Sequence, residues 1–280
     1  MITTTYVLQS EKIPESQDGI CFAVLADLHD GELGRRGSEL EEAIRAAAPD
    51  AILIAGDMVQ ARYHGAGHYL LHFRHAAGLL RRLARRYPVY YANGNHETRW
   101  KHFRVPARYS FAAYRQELRR AGVIFLENHS LDLTGKAAGI RLTGLEFPED
   151  RKCKTEIPSV SAEDIRGYVG PADPDRYQIL LGHSPQFFDA YRGWGADLTL
   201  AGHFHGGIVR LPFLGGVISP YMRLFPKYDR GLFTEAGRSM AVSAGLGAHT
   251  IHLRINNPEE LVILRLYHQR AQTETESRES

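Results

Sequence analysis

Five times along this chain an apolar run breaks off at a residue that can bind a metal ion. Residues 20–26 (ICFAVLA) run into Asp27, 51–56 (AILIAG) into Asp57, and 88–94 (PVYYANG) into Asn95 and His96. Residues 177–182 (YQILLG) run into His183, and 197–202 (DLTLAG) into His203, with His205 two positions on. Nearly continuous apolar runs of this length read as strands buried on both faces, the habit of parallel sheets covered by helices. Such a chain is confined to folds in which several strand ends meet at one edge and deliver polar groups there.

The intervening segments supply the helices. Ser38 and Glu41 make a capping box that predicts a helix over EEAIRAAA, closed by Pro49. Leu70, Phe73, Ala77, Leu80 and Ala84 recur on one helical face and predict a helix over 66–86. A third helix is expected from Phe111 to Arg120, stopped by Gly122. The resulting β-α-β-α-β order implies pairing that is at least partly parallel. Beyond residue 197 the helical signal stops, and 208–211, 231–235, 239–244 and 261–267 read as strands. The expected fold is α/β, with two packed mixed sheets and helices outside: a four-layer α/β/β/α sandwich. Residues 1–268 are expected to form one domain. Within it, 146–176 reads as a long loop or small cap whose only helix starts at Ser161 and Asp164. The polar segment 269–280 is expected to be disordered.

Composition removes several classes. Thirty-four Lys and Arg against 32 Asp and Glu leave a net charge of +2, too little field for general nucleic-acid binding, and none is expected. Cys21 and Cys153 form no CxxC pair, so neither a zinc ribbon nor a disulfide framework is indicated. No apolar stretch nears the roughly 18 residues that span a bilayer. Met1 to Ser16 lacks the features of a secretory signal. A cytoplasmic or membrane-peripheral protein is the expectation.

Asp, Asn and His together suit Mn, Fe or Zn, because hard cations take oxygen and borderline ones take imidazole. Asp27 and His29 are two apart just past a strand end, so both can turn toward one ion. Asp57 follows Gly56, which lets the chain turn sharply. Asn95 offers a neutral oxygen, and His183, His203 and His205 offer nitrogens. Two aspartates cannot cancel two dications, so about two positive charges remain, which suits a phosphate. A cation pair about 3.5–4 Å apart polarises phosphoryl oxygens and lowers the pKa of a bridging water. Asp57, with two oxygens to share, is the best bridge.

The ordered blocks DLH (27–29), GD (56–57), GNHE (94–97), GH (182–183) and GHFHGG (202–207) resemble the signature of the calcineurin-like metallophosphoesterases. The segments 211–233 and 242–247 further resemble the bacterial membrane-associated phosphodiesterase branch. The resemblance implies the metallo-dependent phosphatase fold and phosphoester hydrolysis with two metal ions, Mn, Fe or Zn. It implies one ion on Asp27, His29, Asp57 and His205, and the other on Asp57, Asn95, His183 and His203. His96 is similar to the family histidine that contacts the phosphoryl group and protonates the leaving oxygen. Glu97 stands where an Asp is common, Phe204 where a Thr is usual, Ala26 where a Ser is frequent and Gln60 where an Asp is common.

The expected substrate is a phosphodiester or pyrophosphate, lipid- or nucleotide-linked. The alternatives are a phosphomonoester, a cyclic nucleotide, or no substrate at all on a metal-free scaffold. In RWKHFRVPARY (99–109), Arg99, Trp100 and Arg104 are candidates to grip a second phosphate or stack on a base. His64, His68, His72 and His75 read as a solvated face rather than a second metal site. The apolar stretch 211–226 is either a packed hairpin or a rim that meets lipid.

Overall fold

The computed structural model describes residues 1–31, 34–65, 68–148, 159–207, 210–211, 215–216, 225–247 and 254–269. In chain order the first half contains β1 (Ile2–Ser10), β2 (Ile20–Leu25), α1 (Gly34–Ala47), β3 (Ala51–Ala55), β4 (Gln60–Tyr63), β5 (Tyr69–His72), α2 (Arg74–Ala84) and β6 (Val89–Ala92). Next come α3 (Asn95–Trp100), α4 (Phe111–Arg120), β7 (Val123–Phe125), β8 (His129–Asp132), β9 (Ile140–Leu145) and α5 (Ala162–Val169). The remainder is β10 (Tyr177–Gly182), α6 (Phe188–Trp194), β11 (Leu198–Ala201), β12 (Arg210–Leu211), β13 (Gly215–Gly216), β14 (Gly231–Glu235), β15 (Arg238–Val242) and β16 (Glu260–His268).

Two six-stranded sheets carry the molecule, in the orders β1-β16-β2-β3-β6-β7 and β14-β15-β11-β10-β9-β8. The central strands pair in parallel, while β2–β16, β8–β9 and β14–β15 are antiparallel, so both sheets are mixed. Strand alternation divides the apolar runs between two cores. In β2, Cys21, Ala23 and Leu25 join a core with Leu40, Ile44, Leu79, Leu80 and Leu118 of the helices. Phe22 and Val24 point the other way, against Ile179, Leu181, Leu198 and Leu200 of the second sheet. On the far face of that sheet Leu180 packs with Ile165, Tyr191 and Trp194 of α5 and α6. The layers are therefore helix, sheet, sheet, helix, as the unbroken apolar runs require of strands covered on both sides.

Helix α4 has the predicted bounds. Ser110 caps it by accepting from the Ala113 N–H (3.2 Å), and Gly122 takes φ +100° beyond its end. Ser161 and Asp164 form the expected reciprocal cap of α5. Two expectations are corrected. Helix α1 begins at Gly34, so Ser38 and Glu41 lie inside it, and Glu41 instead accepts from Arg82 (2.9 Å) on α2. The helix expected over 66–86 begins only at Arg74, because the residues before it form the antiparallel hairpin β4–β5. Gly65 at φ +62° accepts the turn bond from the His68 N–H, and Tyr63 and Tyr69, suited to strands, flank it. Leu70 is 38% exposed rather than part of a buried stripe. Cys153, most of the 146–176 loop's first half, Phe213, Leu214 and the segment 270–280 lie outside the described residues, as do 217–224.

Candidate metal centre

Register brings the strand ends together. Leu25 pairs with Ile54 and Ala55 with Ala92, which sets Asp27, Asp57 and Asn95 side by side beyond the first sheet. In the second sheet Leu181 pairs with Leu200, and the Gly202 N–H donates to the His183 carbonyl (3.1 Å), placing His183 beside His203. The two edges face each other across the inter-sheet core. The carboxyl ends of parallel strands are where open α/β sheets generally hold ligands.

The seven predicted ligands converge into one cluster, in which all but the partly exposed Asn95 are buried. Asp27, His29 and His205 present donor atoms close enough for one ion, as do Asp57, His183 and His203. His29 Nε2 lies 2.9 Å from His205 Nε2, and His183 Nε2 lies 3.0 Å from Asp57 Oδ2. His203 Nδ1 is 3.2 Å from His183 Nε2, and the Asn95 amide sits among His183, His203 and Asp57. Each aspartate spends one oxygen on the backbone: Asp27 Oδ2 accepts from the His203 N–H (2.9 Å), and Asp57 Oδ1 from the His96 N–H (2.8 Å). Asp27 Oδ1 is fully buried, has no hydrogen-bond donor among the described residues, and faces His29 at 3.8 Å and His205 at 3.5 Å. An orphaned buried carboxylate oxygen amid imidazole nitrogens fits a cation, since otherwise its desolvation would be uncompensated.

Five of the seven, Asp27, His29, Asp57, His203 and His205, have φ between 50° and 70°. Non-glycine residues rarely adopt this left-handed region, and each such residue costs on the order of 1 kcal/mol. Cross-links hold the turns: the Asp27 N–H donates to the Gly56 carbonyl (3.0 Å) and the His29 N–H to the Asp57 carbonyl (3.0 Å). At Gly202 an added Cβ would run into Asp27 Oδ2, and at Gly94 into Asp57 Oδ1, so the strand-ending glycines are the space the carboxylates occupy.

Glu97 anchors the arrangement from beneath. It is fully buried and accepts from the N–H groups of Asp57 (3.0 Å), Met58 (2.9 Å) and Gly94 (2.9 Å) and from the Tyr91 hydroxyl (2.6 Å). Its carboxylate thereby fixes the turn carrying Asp57 against the turn carrying Asn95 and His96. His96 Nδ1 accepts from the Ala61 N–H (2.8 Å), which leaves the neutral ring's proton on Nε2. His183 Nδ1 donates to the Ala55 carbonyl (2.8 Å), which turns its Nε2 into the cluster.

The calcineurin-like phosphoesterase family profile matches residues 21–207, which span all seven of these side chains. The chain is a calcineurin-like phosphoesterase. It is 25% identical to the Bacillus subtilis metallophosphoesterase YkuE, itself uncharacterized, over 94% of this chain and 85% of that protein. It is 26% identical to the Escherichia coli phosphodiesterase YaeI over 78% of this chain and 70% of the other. Among solved structures it is similar to a 5'-nucleotidase precursor from Thermus thermophilus, at 16% identity and a TM-score of 0.44; the match covers 81% of this chain and 49% of that one.

Electrostatics in this phosphoesterase's cluster are those of a site built for positive charge. Burial pushes the Asp27 carboxyl up to about 7, against the opposing pull of His183. Burial also pushes Asp57 upward, but the charge and hydrogen bond of His183 work against it, and its carboxyl is held well below the usual range. For His183 burial favours the neutral ring, yet the Asp57 charge and hydrogen bond prevail and lift it to about 9. His183 thus carries a proton on Nε2 toward Asp57, where a bound cation would take the proton's place.

The other sequence candidates divide. Arg99 is half-buried at the rim, and its Nη1 donates to the Ala61 carbonyl (2.9 Å). Trp100 is 1% exposed among Phe73, Phe111 and Tyr114, with its Nε1 donating to the Tyr109 carbonyl (2.9 Å), so no face of it is open to a substrate. Arg104 is exposed. His64, His68, His72 and His75 are exposed, as a solvated face requires, though the first three sit on the hairpin and only His75 on α2. Two residues escape a reading of the sequence alone. Glu97 is visible there as a departure but without its partners, and Arg62 of β4 stands in a segment that carries no motif.

Proposed function

We propose that this phosphoesterase hydrolyses phosphodiesters or pyrophosphates with two metal ions, held by Asp27, His29, Asp57 and His205 and by Asp57, Asn95, His183 and His203. The observation that carries this reading is Asp27 Oδ1, buried, without a donor among the described residues and ringed by imidazoles. Bound there, Mn, Fe or Zn would supply Lewis acidity, polarising phosphoryl oxygens and acidifying water.

The chain's own residues do the rest. Asp57 Oδ2, aimed at His183, is the oxygen able to lie between the two ligand groups, while its Oδ1 is steadied by the His96 N–H. His96 reaches into the same space with its Nε2–H and would donate to a phosphoryl oxygen. Because Nδ1 is occupied by the Ala61 N–H, neutral His96 positions and stabilises more readily than it gives up a proton. Glu97 holds the two turns in register so that these donors do not have to rearrange during reaction. The diester preference draws support from the similarity to the phosphodiesterase YaeI, whereas a monoester or cyclic nucleotide is the competing substrate class. A lipid-linked substrate rests on the apolar composition of 211–226 directly after His205.

A screen of the purified protein reconstituted separately with Mn, Fe and Zn, against mono-, di- and pyrophosphate esters, tests the proposal. Metal-dependent turnover of diesters or pyrophosphates above monoesters supports it. Turnover confined to monoesters, or none with any metal, overturns it.

A further inference from the structure

Arg62 lies on β4, the hairpin strand that packs against α3. The residue before it, Ala61, is fully buried, donates its N–H to His96 Nδ1 (2.8 Å) and accepts from Arg99 Nη1 (2.9 Å). The hairpin is pinned to the loop after α3 by rings: Tyr69 stacks on Phe103 at 4.2 Å, and Tyr63 meets the same ring at 5.1 Å. Arg62 is therefore carried by a braced strand rather than a free loop. Arg62 is half-buried, and its Nη2 is wholly enclosed without an acceptor among the described residues. No ion pair among those residues includes it, although Arg81, Arg82, Arg115, Arg141, Arg210 and Arg230 each have a carboxylate partner. Burial lowers its pKa from the usual guanidinium range, Arg99's charge adds to that, and the Asp57 carboxylate opposes it. With Arg99 held against the Ala61 carbonyl next to His96, and Arg62 the following residue on the same strand with an unanswered donor, the hairpin edge offers two cationic groups that an anion would complete.

We propose that Arg62, beside Arg99, forms a subsite for the second phosphoryl group of a pyrophosphate-linked substrate, so that the enzyme favours such esters over single-phosphate diesters. The inference rests on the metal-dependent reading above and narrows its substrate class. Charge agrees with it. Two dications less Asp27 and Asp57 leave two positive charges and the two arginines add two more, so a pyrophosphate diester with two negative charges answers more of the excess than a simple diester with one. A planar fork also suits the paired oxygens of a phosphoryl group better than a lysine would.

The test uses the metal-reconstituted full chain and its Arg62→Gln variant, with melting temperature and metal content measured on both. Turnover of ADP-ribose, a pyrophosphate diester, is compared with that of bis(p-nitrophenyl) phosphate, and ADP with AMP as inhibitors of the latter reaction. We expect the variant to lose at least roughly tenfold more kcat/KM on ADP-ribose than on the simple diester, chiefly through KM. The preference for ADP over AMP should collapse in parallel. If the glutamine variant fails to fold, Arg62→Lys carries the test, with a smaller loss of the same selectivity expected because the charge stays and the fork does not. Equal losses on both substrates, or a wild-type protein that hydrolyses the simple diester yet binds ADP no better than AMP, overturn this inference while leaving metal-dependent hydrolysis standing. Failure of every ester under every metal is instead the failure of the underlying reading.

Discussion

At the scale of single residues, the buried carboxylate of Glu97 decides how well the ligand turns are set. Glu97→Gln keeps its size but turns an amide NH₂ toward N–H and O–H groups that all need an acceptor. The variant should lose about 1–3 kcal/mol of stability, read as a denaturant midpoint, and bind metal roughly 10–100-fold more weakly. Unchanged metal affinity would mean that the turns hold without it. His96→Ala should leave metal content intact and lower turnover by roughly 10² to 10³, the cost of losing one donor to the developing charge. Since Nδ1 is already occupied by the Ala61 N–H, the loss should be similar for good and poor leaving groups. A loss that shrinks as the leaving group becomes more acidic would make His96 a proton donor instead. The residues of the cluster are legible in sequence, because Asp27, Asp57, Asn95, His183 and His203 each follow an apolar run, with His29 and His205 two positions further on, and apolar runs declare themselves. Glu97's partners and Arg62 are not, because backbone N–H groups and a guanidinium's lack of an acceptor are properties of folded turns.

At the scale of elements, alternation and caps explain what can be read. Strands β2, β3, β10 and β11 are buried on both faces, so their composition alone marks them, and α4 and α5 carry caps at their ends. The 66–86 segment mimics one long helix because Leu70 and Phe73 sit at helical spacing by coincidence, while the aromatic residues and Gly65 favour a hairpin that tertiary contacts with Phe103 stabilise. The capping-box pattern at Ser38 shows the converse: a local signal is overridden when the helix can extend to Gly34. For 211–226, replacing Phe213 and Leu214 together with Ser tests the lipid-facing reading. Binding to liposomes and turnover of lipid-linked esters should fall while soluble diesters are still hydrolysed. Wild-type protein that ignores liposomes would assign the segment to packing.

At the scale of the whole molecule, two sheets bring their strand ends to one place, and the cluster depends on both. Metal binding there must displace protons. His183 is raised to about 9, so below that pH a cation competes with its proton, and below about 7 it also competes with one on Asp27. Apparent affinity for a divalent cation should therefore weaken as pH falls, by roughly tenfold per unit for each proton displaced, as titration calorimetry in buffers of different ionisation enthalpy would reveal. A pH-independent affinity would mean that these groups are not ligands. A metal pair shared through Asp57 is tested by counting metal in wild-type protein and Asp57→Ala by elemental mass spectrometry alongside bis(p-nitrophenyl) phosphate hydrolysis. Two ions per wild-type chain are expected, with fewer than one in the variant and turnover nearly lost; a variant that keeps both its metal and its turnover would contradict a shared Asp57.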